Sequence, residues 1–160
     1  MLKILAISSV DAEWNKAADF AAHCSWSAGA FLADMMRNDR FLEWERVFVA
    51  VEGDDIVGFC DLTEKDEMPD GYDFTPFIGF VFVDEAHRGR RISEQMIDCA
   101  SGHAASLGYD KVYVMSGEEG LYEKFGFTPL DEYKTIYGWT DRLFVRATAS
   151  SASRSVDESV

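Results

Sequence analysis

Three arginines crowd one glycine in the stretch DEAHRGRRIS, residues 84–93, where Arg88, Arg90 and Arg91 flank Gly89. A guanidinium offers forked donors that match phosphate oxygens. Glycine lets the backbone turn tightly and come close to a ligand. A helix that starts after such a turn leaves its first N–H groups without partners, which makes an anion site. Arg88, Gly89, Arg90, Arg91, Ile92 and Ser93 therefore read as a pyrophosphate cradle. The plainer reading is a solvated basic helix start whose arginines pair with the chain's own carboxylates. A nucleic-acid patch fits less well, because the surrounding sequence is acidic.

Such a cradle needs a strand before it and a helix after it. Residues 77–83, FIGFVFV, are apolar on both faces, as in a central strand. Beyond the turn, Ile92, Met96, Ala100, His103 and Leu107 fall at helical spacings and predict one packed face, with Gly108 at the cap. Upstream, residues 2–9 read as a strand. Residues 11–23 and 28–37 read as two helices broken around Ser25-Trp26-Ser27. Residues 46–51 and 56–63 form a hairpin around Glu52-Gly53-Asp54-Asp55. Residues 64–75 are an acidic loop. Downstream, residues 111–115 read as a strand, 118–125 as a short helix stopped by Gly126, and 126–130 and 133–146 as the last strands. From Ala147 the chain is Ser/Ala-rich and without aromatics, so the prediction is one domain over 1–146 and a mobile tail over 147–160. No internal repeat is visible.

Composition narrows the class. The 160 residues are 48% hydrophobic and 14% aromatic, which fits one globular domain. No apolar run approaches the roughly 20 residues of a membrane span. The N-terminal run of residues 2–7 reads as a core strand, not a secretion signal. Three widely spaced cysteines, Cys24, Cys60 and Cys99, fit reduced thiols in the cytoplasm and show no metal-type spacing. A formal charge of −14 argues against nucleic acid and favours cationic partners.

Strand, HRGRRIS, helix, strand and then GLYEKFGF, in that order, resemble the GNAT superfamily of N-acetyltransferases, most strongly over residues 77–128. The family's turn carries Arg or Gln, two residues, Gly, one residue, then Gly or Ala. Arg88 matches the first position. Arg91 stands where the first glycine usually is, and Ser93 at the final small position. Because Arg91 has a Cβ, its backbone is expected in the right-handed helical region. Tyr122, in LYEKFGF, matches the family's aromatic-Tyr-Glu-Lys-x-Gly-Phe pattern. The resemblance implies an α/β (α+β) fold with a mixed central sheet of about six to seven strands and about four helices.

It also implies chemistry with acetyl-CoA and no metal. The backbone of Phe82 and Val83 would hydrogen-bond the pantetheine arm like an added strand. The amides from Arg88 to Ser93 would hold the pyrophosphate. An amine would attack the thioester directly, and an N–H such as that of Val83 would stabilise the oxyanion. The Tyr122 hydroxyl would protonate the departing thiolate. Its plainer reading is a ring packed on the sheet. No residue is assigned as base. Asp61, Glu64 and Asp73 are candidates, although each also reads as a solvated loop charge, and a water chain is the alternative. His87 belongs to the turn and His103 to the packed helix face. Trp26 and Trp139 would border the acceptor pocket, or else be half-buried core residues.

The acceptor implied is a primary amine of a small molecule or peptide; the −14 charge and the carboxylates Asp61, Glu64, Asp66, Glu67, Asp70 and Asp73 lead us to expect extra positive charge on it, with no nucleic acid or membrane as partner. A homodimer is an arrangement that CoA-dependent folds of this size often adopt. The alternative function is a non-catalytic CoA-binding or regulatory module of the same fold. A nucleotide-phosphate enzyme fares badly, because the chain has no Gly-Lys-Ser/Thr loop and no dinucleotide-type glycine triplet.

Overall fold

A computed structural model describes residues 1–148. The elements run β1 (Leu2–Ile7), α1 (Trp14–His23), α2 (Gly29–Arg37), β2 (Arg46–Glu52), β3 (Asp55–Thr63), β4 (Phe77–Val83), a 3-10 turn (Glu85–His87), α3 (Ile92–Ser106), β5 (Lys111–Ser116), α4 (Leu121–Lys124), β6 (Thr128–Lys134) and β7 (Thr140–Ala147). The strands make one seven-stranded sheet of order β1-β2-β3-β4-β5-β7-β6. It is mixed, since β4 and β5 pair in parallel at Phe77 and Tyr113 while the other recorded ladders are antiparallel. Among the described residues no helix is long and apolar enough to cross a membrane.

The chain divides into two compact units. One holds Met1–Leu62 and Phe80–Ala100; the other holds Thr63–Gly79 and the chain from Ser101 onward. In the first, β2 and β3 form the predicted hairpin, with Glu52 opposite Asp55. Val47, Val49 and Phe59 turn one face of this ladder toward Ala17, Ala21, Leu32 and Met36 of α1 and α2. Burying such aliphatic and aromatic side chains stabilises by roughly 1.5–3 kcal/mol each.

The packed stripe of α3 is not the one expected. Ile92, Met96 and Ala100 are buried, but the stripe continues through Ile97 and Ala104, while Leu107 lies beyond the helix and is 42% exposed. At about 100° per residue, the row through His103 and Leu107 follows one edge of the apolar stripe rather than its centre. The helix ends where the sequence indicates, with the Tyr109 N–H donating to the Ala104 carbonyl at 3.1 Å.

In the second unit, Phe77, Met115, Leu143 and Met68 form a small core. The single strand expected over 133–146 is two strands. The Thr135 N–H donates to the Trp139 carbonyl at 2.7 Å, closing the turn between β6 and β7. Strand-favouring β-branched and aromatic residues on both sides of Gly138 hide that turn in the sequence. Strand β7 reaches Ala147, and buried Thr148 donates its N–H to Asp110 O and its hydroxyl to Tyr109 O, both at 2.9 Å. The chain thus stays tied two residues past the expected boundary at 146. The remainder of the expected tail lies outside the described residues.

Candidate active site

The turn after β4 is built from its capping residues inward. The Asp84 carboxylate accepts from the Ala86 N–H at 3.3 Å and so starts the 3-10 turn. Arg88 is extended, and then Gly89 takes φ +83°. Arg91 takes φ +60°, which overturns the right-handed conformation expected of it. For a side chain bearing a Cβ, that region costs roughly 1–2 kcal/mol. The Arg91 carbonyl accepts the first helical bond, from the Gln95 N–H at 3.1 Å. The Gln95 side-chain amide also reaches the Arg90 and Arg91 carbonyls, at 3.5 and 3.3 Å. Carbonyls are thereby drawn to the helix side. Among the described residues, the N–H groups of Gly89, Arg90 and Arg91 have no protein acceptor. Two left-handed residues flanking one more make a concave row of amides suited to an anion.

The arginine side chains do less of the anion binding than their number suggests. Arg90 makes a two-pronged pair with Glu52, at 2.7 and 3.1 Å. That pair holds the Glu52 carboxyl below its usual range. Arg88 stands 3.6 Å from Glu85, and Arg91 3.4 Å from Glu94. His87 lies between Asp84 (3.0 Å) and Glu52 (3.7 Å). The plainer reading of the cluster, arginines paired with the chain's own carboxylates, therefore describes these side chains, while the backbone keeps the donors.

The end of β4 has its own irregularity. Phe80 takes φ +50° inside the strand, and Phe80 and Val81 are both half-buried, which breaks the in-out alternation. Strain of this kind is held only where the surroundings impose it. Arg88 Nε donates to the Val83 carbonyl at 3.0 Å, and its guanidinium lies 5.6 Å from the Phe82 ring centre. Trp26 stacks on Phe82 at 6.1 Å and an 8° interplanar angle, and it is 37% exposed. Ser25, beside it, donates to the Glu85 carboxylate. The loop between α1 and α2 is thus fastened to the outer half of β4 and its turn.

Residues 43–129 match the family model described as the acetyltransferase (GNAT) domain. The chain belongs to the GNAT acetyltransferase family. Its fold is that of solved GNAT enzymes. An aminoglycoside 6'-acetyltransferase type Ii superposes with a TM-score of 0.67 at 17% identity, covering 91% of this chain and 96% of that one. A GNAT acetyltransferase from Elizabethkingia anophelis with acetyl-CoA bound gives 0.64 at 18% identity, over 91% and 97%. A spermidine N-acetyltransferase from Vibrio cholerae gives 0.61 at 16% identity, over 96% and 98%. No curated protein sequence matches the chain.

The two compact units divide this GNAT chain's expected site residues. Phe82, Val83, Trp26 and the turn from Arg88 to Ser93 lie in the first; Tyr122, Asp73 and Trp139 lie in the second. Tyr122 is 7% exposed and packs against Phe125, Phe127 and Phe144 at 5.7–6.2 Å between ring centres. Trp139 is 54% exposed, stacks on Tyr137 at 5.1 Å, and donates its indole N–H to Asp141 at 3.2 Å. Asp73 is exposed in its loop. Asp61 is buried in β3, so it is not the solvated loop charge it resembled in the sequence.

Sequence reasoning missed three features. Glu52 is separated from Arg90 by 38 positions, so no local spacing announces the pair. Nothing in FIGFVFV marks Phe80 as left-handed. The third feature is a set of three carboxyls, Asp66, Glu67 and Asp141. Burial, and then Asp141, raise the Asp66 carboxyl to about 7, although part of its surface is accessible. Burial, a hydrogen bond with Asp141 and the charge of Asp66 raise Glu67 to about 8. Two carboxyls can share that bond only by keeping a proton. Among the described residues, no group of three or more His, Cys, Asp or Glu side chains is arranged to hold a metal ion.

Proposed function

We propose that this chain is an acetyl-CoA-dependent N-acetyltransferase acting on a primary amine. The observation that carries the reading is the turn of left-handed Gly89 and Arg91 after β4, whose amides have no protein acceptor among the described residues, in a member of the GNAT family. The amides from Gly89 to Ser93 would bind the pyrophosphate, and Gly89 leaves open space where a Cβ would stand. The backbone of Phe82 and Val83 would hold the pantetheine arm. Bound acetyl-CoA would supply the activated acetyl group. The Val83 N–H would face the developing oxyanion, and Tyr122 Oη would deliver the proton needed by the leaving sulfur.

The acceptor we favour carries positive charge beyond its reacting amine. Support comes from the −14 formal charge and from the exposed acids of the loop, Asp70 and Asp73, with exposed Trp139 beside Asp141. Similar folds include enzymes named for aminoglycosides and spermidine. Free Cys24, Cys60 and Cys99 fit a cytoplasmic setting, and a homodimer is the arrangement to look for. A second reading, a CoA-binding module without turnover, draws on the absence of any carboxylate in β4. The deciding test is mass spectrometry of the purified protein for bound acyl-CoA, followed by thiol release from acetyl-CoA with a panel of amines. Turnover with a di- or polycation, with kcat/KM falling as salt rises, is the expected result. Cofactor binding without release on any amine would favour the second reading.

A further inference from the structure

The row of amides owes its shape to groups outside the turn, and one stands out. Arg90 lies between the two left-handed residues, Gly89 and Arg91. Its guanidinium is held by both oxygens of Glu52, at 2.7 and 3.1 Å. Glu52 closes β2 at the hairpin turn, opposite Asp55, so it is anchored in a ladder. The same carboxylate stands 3.7 Å from His87 Nε2, and His87 Nδ1 stands 3.0 Å from Asp84. Glu52 thus holds the turn through Arg90, after Gly89, and stands near His87, before it. Gln95 grips it from the helix through the Arg90 and Arg91 carbonyls.

A turn with a left-handed glycine and, two residues on, a left-handed arginine would otherwise sample many conformations. Ordering such a segment at the moment of binding costs affinity, and ordering it beforehand saves that cost. A two-pronged Arg–carboxylate pair fixes direction as well as distance. The Arg90 side chain is 46% exposed and that of Glu52 33%, so the pair contributes little to overall stability. Its geometric effect falls on the turn.

We propose that Glu52 is a positioning residue for the phosphate turn, fixing the backbone of Gly89–Arg91 through Arg90 so that the amides are aimed before any ligand arrives. This rests on the cofactor reading given above for its role in binding, but not for its effect on the turn. Glu52 does not touch the anion. The opposite role, a carboxylate that competes with phosphate for Arg90, predicts the reverse effect on affinity.

The test compares the full chain with Glu52→Gln, Glu52→Asp, Arg90→Met and the double variant Glu52→Gln/Arg90→Met. Calorimetry reads acetyl-CoA affinity, and backbone nitrogen relaxation reads the order of Gly89, Arg90 and Arg91 without ligand. We expect Glu52→Gln to weaken binding about tenfold, Arg90→Met to weaken it at least as much, and the double variant to be no worse than Arg90→Met. Glu52→Asp should recover part of the loss. The ligand-free turn should be less ordered in Glu52→Gln, and kcat at saturating cofactor should hold while KM rises. Equal or tighter binding by Glu52→Gln, or an unchanged order of the ligand-free turn, overturns the proposal. If the parent protein binds no acetyl-CoA, the cofactor reading fails, and the relaxation comparison alone decides whether Glu52 orders the turn.

Discussion

Gly58 meets Phe82 so closely that a Cβ built on Gly58 would stand 2.8 Å from the Phe82 carbonyl oxygen. The Met96 side chain crowds the same point, with its Cε 3.3 Å away. Backbone, not a flexible side chain, limits this space. Gly58→Val should therefore shift the outer half of β4 and destabilise the fold by about 1–3 kcal/mol, the usual cost of overpacking. Thermal unfolding checks the stability. An unshifted melting temperature in Gly58→Val would show that β4 yields freely there.

Gly89 makes the opposite prediction. Nothing lies within 4 Å of its would-be Cβ, yet its φ is +83°. A β-branched residue there is strained by its backbone alone. Gly89→Val should cost the fold little, since the turn is at the surface, but should lower acetyl-CoA affinity by tenfold or more, in the range of about 1–2 kcal/mol. Reversing Arg88 and Arg91 to Glu should weaken binding as well. Titration calorimetry reads both, and unchanged affinity in the charge-reversed protein would remove the cradle from this turn.

Tyr122→Phe keeps the ring among Phe125, Phe127 and Phe144 and deletes only the hydroxyl. Turnover should drop by roughly 10²–10⁴-fold, the size of a lost acid–base group, with cofactor affinity nearly intact. A variant turning over at the parent rate would return Tyr122 to a packing role.

The carboxyl set makes stability depend on pH. Folding raises the Glu67 carboxyl from 4.5 to about 8, so the folded chain holds a proton that the unfolded chain releases. The contribution of this set is therefore full below pH 4.5 and declines as pH climbs through about 8. Glu67→Gln supplies an amide donor to Asp141 with no proton to lose. Its melting temperature should exceed the parent's by about 2–4 °C per kcal/mol gained above pH 8, with little difference at pH 5. Parallel melting curves for the two proteins from pH 5 to 9 would count against a shared proton.

How much could be read from the sequence differs from residue to residue, for physical reasons. The strand over 77–83 and the helix after it follow from apolar patterning, and HRGRRIS marks the turn between them because glycine and arginine are local signals. The left-handed state of Arg91 is not legible in the sequence, since local sterics favour the other well; its partners Glu94 and Gln95 accompany it. The acidic loop read as uniform solvated charge. Burial separates Asp66 and Glu67 from Asp70 and Asp73, and that burial depends on strands more than 60 positions away, where Asp141 lies. The same holds for Asp61, since a carboxylate on a strand looks like a loop charge until the fold buries it.

The pairing of Arg88, Arg90 and Arg91 with Glu85, Glu52 and Glu94 has a kinetic consequence. These pairs leave the mouth of the turn with little field of its own, while the whole chain carries −14. A polyanion would approach against a repulsive potential and be captured only at contact, by backbone amides. Screening weakens that repulsion more than it weakens short hydrogen bonds. Stopped-flow association of a phosphate-bearing ligand should therefore speed up as salt is added, the reverse of the slowing seen where a basic surface steers its ligand in.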